Sequence, residues 1–179
     1  MNRKIAKFLL AGFAKKHDYD VKYLENMAAV SPGAFYRYLL TAPLAAYRKQ
    51  VPGRVYFSAR MIATKHIDCG PCLRLVINTA REAGVDASLL RAVLTDNVTV
   101  IPDDVALGIN YANAVMTKDA VRIVELNKQI TQRWGEAALT DLALAVAFAA
   151  FFPTLRRGLG HAQSCESVIQ ELERSSPVA

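Results

Sequence analysis

Two cysteines stand three positions apart in Cys69-Gly70-Pro71-Cys72. Thiols at that spacing close a disulfide with little backbone movement and reopen it by thiol exchange, so the pair suits two-electron redox chemistry. Pro71 stiffens the turn between them. His66 lies three residues before Cys69, where one helical turn brings an imidazole near a sulfur. A histidinium there lowers a thiol pKa, and a neutral imidazole accepts the thiol proton. Lys65 and Arg74 add positive charge on either side of the motif. The candidate catalytic set is therefore Cys69, Cys72 and His66. Spacing alone leaves open which thiol attacks; a Cys69 that caps a helix would gain thiolate character from exposed N–H groups.

The same residues admit a second chemistry. His66, Cys69 and Cys72, with Asp68, make up four possible zinc ligands. Structural zinc draws on a second, separate ligand pair, and none is evident, so neither a metal nor a cofactor is expected. Cys165 is the third cysteine and reads as a bystander. An odd number, with two in one tight motif, is not the pattern of a secreted disulfide framework. It fits a reducing compartment, and the expected location is cytoplasmic.

Composition sets the scaffold. The chain has 179 residues, 53% hydrophobic and 21% charged, which marks an ordered globular protein and is most simply one domain over 1–179. The formal net charge of +6 raises the question of a nucleic-acid or membrane partner. The cations are dispersed, however, and are not interleaved with aromatics, so neither partner is expected. A basic amphipathic helix is expected over 2–16, with Ile5, Leu9 and Phe13 on one face, not a signal peptide. The apolar run Leu142 to Phe152 is too short to span a bilayer and reads as a buried core helix.

The pattern is helical nearly throughout. Ser31-Pro32 signals a helix start, with Ser31 as the cap and Pro43 ending or kinking the helix before Tyr47. Helices are expected over 55–67 and over 72–83, the latter burying Cys72, Leu75, Val76, Thr79, Ala80 and Ala83. Gly84 suits a left-handed stop, and Asp86 caps a short helix over 87–95. Residues 96–102 read as a loop. Helices follow at 103–116, at 118–134 up to Gly135, and at 136–157, where Pro153 should kink or end the helix. A last helix is expected over 162–173, before a frayed tail at 175–179. His17 reads as a surface loop residue, His161 as structural, and Trp134 as a core or interface anchor. Phe35 and Tyr38 share a helix face, for packing or for lining a pocket.

Cys-Gly-Pro-Cys is also the tetrapeptide of thioredoxins, where it follows a strand and opens a helix. Here the flanks lack alternating strands, and Asp68 precedes the first cysteine. The stretch from Phe57 through His66-Ile67-Asp68-Cys69-Gly70-Pro71-Cys72 to Ala83-Gly84-Val85 instead resembles the alkylhydroperoxidase D (AhpD)-like branch of the carboxymuconolactone decarboxylase family. The likeness covers roughly residues 30–160, including the order of the helices and the Ala-rich segment Ala137–Phe151. The resemblance implies an all-α, AhpD-like helical bundle and a homo-oligomer. It implies thiol peroxidase or disulfide reductase chemistry on a small peroxide or disulfide, with re-reduction by a dithiol electron-donor protein. It also implies that Cys72 meets the peroxide and that Cys69 resolves. Two positions depart from the pattern. The family's Glu twelve residues before the first Cys is Phe57 here, and its His four residues after the second Cys is Val76. Those two form a proton relay in the family, so a non-catalytic or redox-sensing oligomeric module is the alternative expectation.

Overall fold

The computed structural model describes residues 3–174, and no strand occurs among them, in keeping with the all-α expectation. The helices are α1 Arg3–His17, α2 Lys22–Val30, α3 Pro32–Leu39, α4 Thr41–Ala45, α5 Gly53–Ile67 and α6 Gly70–Glu82. They continue with α7 Ala87–Leu94, a 3-10 turn at Val98–Val100, α8 Asp103–Thr117, α9 Ala120–Trp134, α10 Ala137–Gly158 and α11 Glu166–Arg174. The expected tail at 175–179 lies outside the described residues.

Helix α5 is the centre of the main core. It packs against α8, α10 and α6, and it buries residues on every side, including Val55, Ala59, Met61 and Ala63. A helix that is apolar all round must be surrounded. Gly108 lets α8 come close, because a Cβ there would sit 2.6 Å from the Val55 Cγ1. A second cluster joins Leu10 of α1, Tyr23, Leu24 and Met27 of α2 and Phe35 of α3. Leu75 of α6 and Leu155 of α10 pack against it, so α6 lies between the two clusters. The buried face of α6 is consequently Cys72, Leu73, Val76, Ile77 and Ala80. Leu75 and Thr79 are half-buried, and Ala83 is exposed, against the face expected from spacing.

Local signals near the motif act as their chemistry dictates. Asp86 accepts hydrogen bonds from the Ser88 and Leu89 backbone N–H groups and caps α7. Gly84 takes φ +80°, the left-handed conformation that ends α6 without a Cβ clash. One expectation is corrected and one helix is additional. The additional helix is α2, where Asp20 Oδ1 accepts from the Lys22 N–H at 3.0 Å just before its first turn. Ser31 makes no side-chain cap; its carbonyl accepts from Ala34 and Phe35 instead. The helix expected to be kinked or ended by Pro43 does break, at Leu40 in the turn before the proline, which cannot donate to the Leu39 carbonyl, and α4 ends at Ala45, before Tyr47. Pro153 lies inside α10, which runs over Ala137–Gly158, close to the expected 136–157, and Arg156 beyond the proline is tied down by tertiary contacts.

Helix α10, at 22 residues, is long and apolar enough by length and composition to cross a membrane, unlike the shorter run read from sequence. Its inner face packs Ala138, Leu142, Ala145, Val146 and Ala149 into the core. Asp141 is buried on that face, and its Oδ2 accepts from the backbone N–H groups of Lys49, Gln50 and Val51 at 2.9, 2.7 and 3.0 Å. This carboxylate pins the α4–α5 connection to α10. Asp141→Ala would leave those donors without their acceptor and should lower stability by about 3 kcal/mol. Thermal denaturation checks it: Asp141→Asn, which keeps an acceptor oxygen, should lose less, and equal losses would contradict the assignment.

Candidate redox site

Cys69 and Cys72 form a disulfide across the start of α6, with their Cα atoms 5.3 Å apart. Cys69 is the residue before the first turn, in extended conformation, and Cys72 lies within that turn. Both are buried, at 3% and 5% exposure. The motif is clamped from the C-terminal side. Gly70 N–H donates to the Gln163 carbonyl at 2.9 Å, and a Cβ on residue 70 would overlap the Ser164 carbonyl, so only glycine fits. Asp68, left-handed at φ 55°, ends α5 and turns its carboxylate to the Cys165 N–H at 2.7 Å and the Ser164 hydroxyl at 3.3 Å. Arg157 donates to the Ile67 and Asp68 carbonyls.

The two sulfurs have different surroundings. Cys72 lines a cavity of about 370 Å³ whose walls are mostly apolar, among them Leu75, Val76, Phe148 and Phe152. Cys69 is not among the lining residues. Against Cys72 Sγ stands the Tyr19 hydroxyl, at 3.8 Å. The Tyr19 hydroxyl lies 3.2 Å from that of Tyr23, and the Tyr23 hydroxyl lies 3.3 Å from that of Tyr38. Burial pushes the Tyr23 phenol far up from its ordinary value and Tyr38 up to about 12, so both remain protonated through the neutral range.

Arg156 holds this tyrosine group in place. Its side chain is fully buried, with the guanidinium 5.4 Å from the Tyr19 ring centroid and 5.1 Å from that of Tyr23. It donates to the Asp20 carbonyl, the Asp20 carboxylate and the His161 carbonyl, at 2.8, 3.0 and 2.9 Å. Burial works against the Asp20 carboxylate, but the Lys22 N–H and Arg156 hold its pKa below the ordinary value, so it stays ionised opposite the guanidinium.

The residues singled out by sequence fall into two groups. Cys69 and Cys72 come together. His66 is exposed, and its Nε2 is hydrogen-bonded at 2.8 Å to Asn113 Oδ1 on α8. Phe57 and Val76 are both buried in the main core. His17 is buried, not on a surface loop, with Nδ1 3.3 Å from Glu82 Oε1. Phe35 and Tyr38 both line the cavity. Trp134 packs against the main core, with Arg133 over its ring. No group of three or more His, Cys, Asp or Glu side chains suited to a metal occurs among the described residues. Tyr19 was not legible as a site residue: it reaches Cys72 across 53 positions, and no local spacing signals that contact.

Cys165 is nearer the motif than its position suggests. It is buried beside Asp68, and burial together with that carboxylate pushes its thiol up to about 11, while a Cys69 backbone hydrogen bond works the other way. Comparison of the chain with family models, with curated proteins and with solved structures found no match. The Cys165 thiolate forms only as pH climbs towards the raised value, so at pH 8 it should be scarcer by roughly a hundredfold than in an ordinary thiol. Alkylation of the reduced, folded protein, read residue by residue by mass spectrometry, should label Cys165 slowly and unfolding should release it. Equal rates in both states would contradict this environment.

Proposed function

We propose that the protein is a thiol-dependent oxidoreductase of the AhpD-like type, which reduces an organic peroxide or a disulfide through a Cys69/Cys72 dithiol–disulfide cycle. The observation that carries the reading is the asymmetry of the pair: both cysteines join in one disulfide, yet only Cys72 opens on the apolar cavity. Cys72 is then the thiol that meets the substrate, and Cys69 resolves.

With a hydroperoxide, the Cys72 thiolate gives its electron pair to the terminal oxygen. A sulfur–oxygen bond forms, the oxygen–oxygen bond breaks, and the departing alkoxide takes a proton and leaves as an alcohol. Cys69 then attacks the Cys72 sulfur of the sulfenic acid, closing the disulfide and expelling water. An external dithiol restores the pair by exchange and becomes a disulfide itself. With a disulfide substrate, two successive exchanges at Cys72 and Cys69 release two thiols. The apolar walls favour an organic group on the substrate, because a small polar peroxide leaves them unfilled.

The test is turnover of cumene hydroperoxide, hydrogen peroxide and an aromatic disulfide, with dithiothreitol as reductant. Cys72→Ser should lose roughly a thousandfold or more. Without dithiothreitol, reduced Cys69→Ser should consume one equivalent of hydroperoxide and stop, leaving a sulfenic acid that dimedone traps on Cys72. Cumene hydroperoxide should outrun hydrogen peroxide. A wild-type disulfide that forms without any turnover would remove the enzymatic reading in favour of a redox-sensing module.

A further inference from the structure

We propose that Tyr19, Tyr23 and Tyr38 form a directed chain of hydroxyl donors that ends on Cys72 and stabilises its thiolate, doing so without a histidine or carboxylate base. The inference rests on the reading of Cys72 as the reacting thiol. Tyr19 touches the reacting sulfur and is the catalytic member; Tyr23 and Tyr38 position it.

The direction of the chain follows from counting hydrogens. A sulfur in a disulfide carries none, so at the Cys72 Sγ contact the Tyr19 hydroxyl is the donor. A phenol has a single hydrogen, so Tyr19 must accept from Tyr23 at their 3.2 Å contact. Tyr23 has then used its own hydrogen and accepts from Tyr38 at 3.3 Å. Each bond polarises the next in the low-dielectric interior, so the last donor is stronger than an isolated phenol. Burial keeps Tyr23 and Tyr38 protonated, which preserves the order at neutral pH.

The chain acts on whichever step places charge on Cys72. When an external dithiol attacks the Cys72 sulfur, Cys69 leaves as thiolate; when the dithiol's second thiolate then attacks the external sulfur of that mixed disulfide, the bond to Cys72 breaks and Cys72 takes the electron pair as thiolate. When that thiolate later attacks substrate, it gives the pair away. The phenols keep their own hydrogens in both steps. A hydrogen bond to the charged form of a thiol lowers its pKa, and a low-pKa thiol is the better leaving group.

The other groups around this sulfur set the local field. Arg156 of α10 faces the Tyr19 and Tyr23 rings, with its charge opposed by Asp20. Arg60 of α5 lines the same cavity, and the His161 ring lies 6.1 Å from that of Tyr23. None of these has a hydrogen bond to Cys72 Sγ; Tyr19 does.

The experiment is thiolate absorbance against pH in the reduced Cys69→Ser protein, with Cys69→Ser/Cys72→Ser subtracted so that Cys165 cancels. Adding Tyr19→Phe should raise the Cys72 pKa by roughly one pH unit. Tyr23→Phe should raise it less and Tyr38→Phe least, since each removes a donor one step further away. Circular dichroism and thermal melting verify that each phenylalanine variant is folded. Should Tyr19→Phe fail to fold, the graded shift between Tyr23→Phe and Tyr38→Phe carries the test. An unmoved Cys72 pKa, or equal shifts at the near and far tyrosines, overturns the chain. The pKa is read without substrate, so a wild-type protein with no turnover but a graded shift fails the oxidoreductase reading and keeps the chain. Turnover with no shift does the reverse.

Discussion

The buried guanidinium of Arg156 is the contact on which the site depends. A charge taken out of water is costly unless its donors are all engaged. Here the cost is met by Asp20, by two carbonyls and by two aromatic faces, all but the nearby His161 carbonyl from a segment distant in sequence. Asp20 stands 136 positions away, so this one side chain joins the C-terminal half of α10 to the link between α1 and α2. That junction, with the Tyr23 hydroxyl, holds the Tyr19 hydroxyl at the sulfur of Cys72. The same anchor ties down the part of α10 beyond Pro153, in a helix that a proline would normally kink or end.

The junction also makes the two cysteines unequal. Both sit at the start of α6, yet their neighbours come from different segments. On the Cys69 side, the C-terminal loop presses Ser164 and Cys165 against Gly70 and Asp68. On the Cys72 side, the α1–α2 link, α2 and α3 supply the three phenols, and α10 adds to the apolar cavity. One sulfur is walled in and the other has room beside it. This division of labour is what a dithiol needs if one thiol is to meet a substrate and the other to close the disulfide behind it.

Much of the frame was legible because it is written in local chemistry. Gly84, Asp86 and Gly135 marked boundaries that depend only on their own backbone or on a cap within three residues. Cys69 and Cys72 were legible as a pair because a three-residue spacing needs no tertiary contact to close. The failures share the opposite cause. Ser31 offered a capping oxygen that the neighbouring helices leave unused. His66 has the right spacing to face a sulfur, but α8 presents Asn113 to it instead. The face of α6 turned from its expected position because two clusters, not one, compete for it. Tyr19, Arg156 and Cys165 act across 53 to 136 positions, and pattern reading does not carry that far.

A dithiol cycle requires that a pair only 3–5% exposed be chemically reachable in the folded protein. Equilibration of the native protein in glutathione buffers of graded potential, with the Cys69–Cys72 state read by mass spectrometry and the fold by circular dichroism, tests it most directly. The pair should show one reversible two-electron transition, confined to these two cysteines, with helicity unchanged throughout. A disulfide that opens only as the protein unfolds, or that does not re-form on return to oxidising buffer, would contradict it.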